Sequence, residues 1–171
     1  MPRRTLTATA LLALLLLSTT ALAASGGSRR GSGSDRRGDV AASSDLVDAS
    51  ASYVRASGKV RARVSMADFG AASGEGTFLA VYVSKRRHGR CQTTTGSLIG
   101  FGFASRTAQA GLARDANPTV PAHASVRGNR ISLSAEGARL AHHRYDCAVV
   151  TTIAADGNVA RVIDKIAFRL R

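Results

Sequence analysis

From Asp45 onward, apolar and polar residues alternate with a period of two, the spacing of strands with one face buried. In DLVDASASYVR, Val47, Ala49, Ala51 and Tyr53 share a face. In KVRARVSMA, Val60, Ala62, Val64 and Met66 point one way and Lys59, Arg61 and Arg63 the other. Ala56-Ser57-Gly58 joins the two runs, which predicts an antiparallel hairpin with a basic outer face. After a Gly-rich loop from Gly70 to Gly76, TFLAVYVS is nearly all apolar and suits a strand covered on both sides. The next run puts Cys91, Thr93, Thr95, Ser97, Ile99, Phe101 and Phe103 on one face and Gly96, Gly100 and Gly102 opposite. Arg106 to Pro121 is the least regular stretch. ASVRGNRISLS folds back around Gly128-Asn129, a favoured two-residue hairpin turn. SAEGARLA is long enough for one helical turn. RYDCAVVTTIA aligns Tyr145, Cys147, Val149, Thr151 and Ile153, and Asp156-Gly157 leads into NVARVIDKIAFRL. About eight short strands without a normal amphipathic helix predict an all-β, antiparallel β-sandwich, jelly-roll-like in form.

The first 44 residues follow a different pattern. Arg3 and Arg4 precede a short apolar run from Leu6 to Leu17, and Ala21-Leu22-Ala23 has the small-x-small form of a cleavage site. Residues 1–23 are therefore expected to be a signal peptide, with the mature chain beginning at Ala24, outside the cytoplasm and without a membrane span. The Arg pair also suits the twin-arginine route. Residues 24–44 are rich in Gly, Ser, Arg and Asp with no apolar periodicity, which predicts a disordered linker ahead of a domain over 45–171. The tripeptide Arg37-Gly38-Asp39 within it is expected to be coincidental.

The opening DLVDAxASYVRASGKVRARVSMA resembles the first hairpin of some secreted actinobacterial proteins of unknown function. These are similar in turn to the sandwiches of family-nine carbohydrate-binding modules and DOMON domains. The likeness spans Asp45 to Arg171: an Asp, an alternating strand, a Gly turn and a second strand, later a hairpin around Gly128 and a closing strand with Asp164. It implies a fold rather than an activity. The carbohydrate modules use aromatic platforms, whereas this chain has no Trp and only 5% aromatic residues. Some DOMON domains hold haem between a Met and a His, roles for which Met66 and His142 or His143 are the candidates here; Met66 lies on the apolar face of its strand, which makes it a core residue.

Chemistry is constrained mostly by exclusion. Cys91 and Cys147 are the only cysteines, and an even count in an exported chain predicts a disulfide. There is no C-x-x-C, no G-x-S-x-G around Ser97, no phosphate-binding or dinucleotide fingerprint, and only two glutamates, Glu75 and Glu136, both in expected loops. His142 and His143 are adjacent, so on a strand they point apart and do not chelate. No cofactor, metal or catalytic residue is expected, and the protein is expected not to be an enzyme.

Charge is the remaining functional signal. Lys and Arg number 24 against 11 Asp and Glu, a net +13. Lys59, Arg61 and Arg63 on the outer strand face, with Lys85, Arg86, Arg87 and Arg90 at a loop tip, are the candidate anion-binding residues. The expected partner is an anionic envelope or extracellular polymer, or an extracellular protein. Specific nucleic-acid binding is not expected, because stacking aromatics are not interleaved with the Arg. The other readings are a secreted hydrolase or enzyme accessory whose site is not recognised, or an inhibitor presenting the KRRHGR loop to a secreted enzyme.

Overall fold

The computed structural model describes residues 27–70, 76–115, 120–156 and 159–171. The expected signal peptide, Glu75, most of the Gly-rich loop, Asn117-Pro118 and Gly157 lie outside the described residues. Among the described residues there are twelve strands and one 3-10 turn (Ala138–Leu140). The strands are β1 (Ser28–Ser34), β2 (Leu46–Val54), β3 (Lys59–Met66), β4 (Thr77–Ser84), β5 (Arg86–Arg87), β6 (Arg90–Cys91), β7 (Ser97–Gly102), β8 (Ala108–Leu112), β9 (Val120–Arg127), β10 (Arg130–Ala135), β11 (Cys147–Asp156) and β12 (Val159–Arg169). Ten of them form one antiparallel sheet in the order β1-β2-β3-β10-β9-β8-β7-β4-β11-β12. The all-β, sandwich- or barrel-like architecture is the one the period of two implies. There are more strands than the expected eight because β1, β8 and the small β5–β6 hairpin carry too little apolar pattern to be recognised.

The sheet folds on itself into two layers, β1-β2-β3-β10-β9 (sheet A) and β8-β7-β4-β11-β12 (sheet B). One seam is closed by pairing of Gln109 and Ala110 with Pro121 and Val120. At the other, Arg30 and Arg171 exchange both backbone hydrogen bonds at 2.9 Å. The two ends of the sheet, β1 and β12, thus approach each other in a nearly closed, barrel-like arrangement. The interior is filled from both layers by Tyr53, Val64, Leu79, Val81, Ile99, Phe101, Ile131 and Val150, all essentially inaccessible. Each such side chain contributes about 1.5–3 kcal/mol through burial, which allows a core to form despite the abundance of alanine. At one end Phe69, Phe101 and Phe103 pack together, with the Arg106 guanidinium 4.3 Å over the Phe69 ring. At the other, Tyr53 lies 4.9 Å from Tyr145 and donates a 2.8 Å hydrogen bond to the Leu140 carbonyl.

Residues 28–34, expected to belong to a disordered linker, instead pair with β2 along their whole length. Their own side chains supply almost no hydrophobic free energy; order comes from backbone pairing with β2 and from the Arg30–Arg171 hydrogen bonds on the other side. Gly31 and Gly33 make the second edge accessible. A Cβ at Gly31 would collide with the Arg169 carbonyl, and one at Gly33 would lie 2.8 Å from Ile166 Cγ2. A smaller correction concerns β2. A bulge between Leu46 and Asp48 shifts its register, so Leu46 rather than Val47 joins Ala49, Ala51 and Tyr53 in the core.

Candidate anion-binding face

The β3 alternation buries Val60, Ala62, Val64 and Met66 and turns Lys59, Arg61 and Arg63 to the outside of sheet A. Pairing on either side builds them into rows. Arg63 stands between Ser50 of β2 and Ser132 of β10, with Ser125 of β9 next along. Arg61 stands between Ser52 and Ser134, flanked further out by Arg30 of β1 and His123 of β9. A third row contains Asp48, Ser65, Arg130 and Arg127. Successive rows are about 7 Å apart along the strands and neighbours within a row about 5 Å apart. The short serines leave two shallow troughs of about 270 Å³ beside Arg61 and Arg63, one toward β1 and β2, the other toward β10 and β9.

Among the described residues neither Arg61 nor Arg63 forms an ion pair. Lys59 does: its ammonium lies 2.6 Å from Glu136. Hydrogen bonding from Lys59 and from Ser57 holds the Glu136 carboxyl below its ordinary pKa. Lys59 is therefore locally neutralised, and the face presents two guanidinium groups flanked by hydroxyls, of which Arg61 also feels the Glu136 carboxylate at longer range while Arg63 does not. That combination offers a planar, bidentate cation and neutral donors to a phosphate, sulfate or carboxylate oxygen.

The second predicted cluster lies elsewhere. Lys85 leads into the β5–β6 hairpin, whose turn places His88 at φ 48° and Gly89 at φ 78°, the left-handed pair that closes a two-residue hairpin. The hairpin lies over the outside of sheet B, opposite the Arg61–Arg63 face. Cys91 and Cys147 are disulfide-bonded, with Cα atoms 5.9 Å apart, and attach β6 to β11 from outside the barrel. The Arg86 guanidinium is turned inward onto the Gly89 carbonyl at 2.8 Å, and its backbone N–H donates to Asp146 Oδ1. Arg87 and Arg90 are exposed. Beneath the hairpin lies a cleft of about 740 Å³ whose walls include Tyr82, Val149, Ile153 and Val162, with Arg90 and Lys165 at its polar margin. The seven predicted cationic residues thus form two separate patches on opposite faces.

Other sequence candidates are placed as structural residues. Met66 is buried in the core, whereas His142 is hydrogen-bonded through its backbone to Arg55, beyond the far end of β3. Met66 and the two histidines therefore cannot hold one haem. His143 stacks on Tyr145 at 5.1 Å. Ser97 is buried with its hydroxyl donating to Tyr145.

The sequence singles out Arg61 and Arg63, and Arg30 as part of another basic pair, but not Ser50, Ser52, His123, Ser132 and Ser134, which only the cross-strand register sets beside them. The serines carried a signal in their alternation opposite Ala and Leu. No protein-family model matches the chain, and no curated protein or solved structure is significantly similar to it. The likeness to carbohydrate-binding modules and DOMON domains therefore rests on the strand pattern alone.

Proposed function

We propose that the protein is an exported, non-enzymatic binding module that holds an extended anionic polymer against the outside of sheet A. The observation that carries this reading is the cross-strand register, which seats Arg61 and Arg63 between serines on both sides in consecutive rows. A rigid sheet presents these guanidinium groups without the ordering cost that a flexible basic arm pays. The rows extend across five strands, so the surface suits a chain of repeated charges better than a single small anion. The disulfide is in keeping with an oxidising compartment outside the cytoplasm.

The test uses long-chain polyphosphate and heparin as probes. Binding should weaken steeply as salt rises, because exposed charges are screened over about 8 Å at physiological ionic strength. The double variant Arg61→Gln/Arg63→Gln should lose about tenfold or more in affinity, equivalent to about 1.4 kcal/mol. Arg87→Gln/Arg90→Gln should retain it. The reverse ranking would move the site to the hairpin and overturn the proposal.

A further inference from the structure

The loop from β1 to β2 brings together carboxylates that lie far apart in the sequence. One carboxylate oxygen each from Asp39, Asp45 and Asp164 lies within 4.8 Å of the others. Asp45 is wholly inaccessible and Asp164 is 7% exposed, while Asp39 closes the group from the solvent side. Backbone N–H groups satisfy part of the site: Gly38 donates to Asp45 Oδ2 at 2.7 Å, Leu46 to Asp164 Oδ2 at 2.6 Å and Lys165 to Asp164 Oδ1 at 2.6 Å. Asp35 lies within hydrogen-bonding reach of Asp164. The loop's Arg37 is turned onto the Ala67 carbonyl at 3.2 Å.

One atom remains unaccounted for. Asp45 Oδ1 is buried and has no hydrogen-bond partner. Among the described residues none of the three carboxylates is in an ion pair. A buried carboxylate oxygen in a group of like charges is costly unless a proton or a cation neutralises it, and burial together with the neighbouring Asp35 already raises the pKa of Asp164.

We propose that Asp39, Asp45 and Asp164 bind one calcium ion, which ties the β1–β2 loop to β12 across the seam that β1 closes. The donors are all hard oxygens, with no His or Cys, which selects an alkaline-earth cation over a transition metal. Two oxygens on opposite sides of Ca²⁺ can stand about 5.2 Å apart, and about 4.2 Å across Mg²⁺. Carboxylate oxygens within 4.8 Å of one another can share either ion, and their partial use by backbone N–H groups suits the irregular shell of Ca²⁺ better than the strict octahedron of Mg²⁺. The chain's net +13 disfavours diffuse attraction of a divalent cation, so binding has to come from a local site. This site is separate from the Arg61–Arg63 face, and it stands or falls independently of polymer binding.

The experiment is calorimetric titration of the disulfide-bonded chain with CaCl₂ after chelator treatment and desalting. One ion per chain should bind with a Kd below about 10⁻³ M, and MgCl₂ should bind about tenfold more weakly or worse. Asp39→Asn alters only the exposed carboxylate and should weaken Ca²⁺ binding about tenfold. Asp45→Asn should abolish it while raising the melting temperature of the metal-free chain, because it removes the unpaired buried charge. Absence of saturable heat would overturn the proposal, as would wild-type Ca²⁺ affinity in Asp39→Asn, which decides the question even if Asp45→Asn fails to fold.

Discussion

If the barrel is closed by β1, one methyl group at Gly31 should open it. A Cβ there would occupy the position of the Arg169 carbonyl oxygen and crowd the Phe168 ring, both on β12. The obstacle is backbone, so rotation of a side chain cannot relieve it. Gly31→Ala should therefore lift β1 away from β12 while leaving its pairing with β2 available. The two Arg30–Arg171 backbone bonds are lost. At about 0.5–1.5 kcal/mol net each, they predict a destabilisation of about 1–3 kcal/mol. For a domain of this size that lowers the Tm by roughly 2–4 °C per kcal/mol. The control is Gly27→Ala, because a Cβ at Gly27 meets nothing within 4 Å. Urea unfolding measures the free energy, and brief trypsin digestion measures local opening at Arg29 and Arg30. Gly31→Ala should be cut there under conditions that leave wild type and Gly27→Ala intact. Wild-type stability and wild-type resistance in Gly31→Ala would show that β1 is not part of the closed sheet.

Replacing both Cys91 and Cys147 by Ser should cost about 4 kcal/mol, from the loop entropy of a 56-residue separation; an unchanged urea midpoint would contradict the bridge's contribution. Tyr53→Phe leaves the Leu140 carbonyl and the His143 N–H unpaired and should cost about 1–3 kcal/mol at neutral pH. Burial pushes the Tyr53 hydroxyl up to about 12 from an unfolded value of 10.0, so its contribution is complete below pH 10 and is lost as pH rises from there through 12. Tyr53→Phe should flatten that alkaline decline, and an unaltered alkaline profile would refute the assignment. Glu136→Gln releases Lys59 from its 2.6 Å ion pair and should tighten polyphosphate binding; weaker binding would show that Glu136 does not mask the face.

The strands that build the core were legible because each carries its own alternation. The pattern Val60, Ala62, Val64, Met66 against Lys59, Arg61, Arg63 is sufficient without knowledge of the partners. β1 was not legible, because its order derives from two neighbouring backbones rather than from its own side chains. Its only mark is the glycine pair 31 and 33, spaced like the inward positions of a strand. The Cys pairing was readable from count and compartment, but its placement was not: Cys147 faces outward on β11, where the small hairpin covers it. The Arg61–Arg63 face was half visible. Its cations show in one strand, whereas its serines come from β2 and from β10, a strand some seventy residues further along the chain that pairs with β3 only in the folded sheet. The aspartate cluster was still less accessible, since Asp45 and Asp164 meet only because β12 returns to the start of β2.

The direct test of the polymer-binding account is arginine-selective chemical modification, read residue by residue by mass spectrometry with and without saturating polyphosphate. Arg61, Arg63, Arg87 and Arg90 are all exposed, so each is expected to react in the free protein. Bound polymer should protect Arg61 and Arg63, with Arg30 and Arg130 protected to a lesser degree at the margins of the same face, and leave Arg87 and Arg90 reactive. Protection confined to Arg87 and Arg90, or spread evenly over all exposed arginines, would contradict the account.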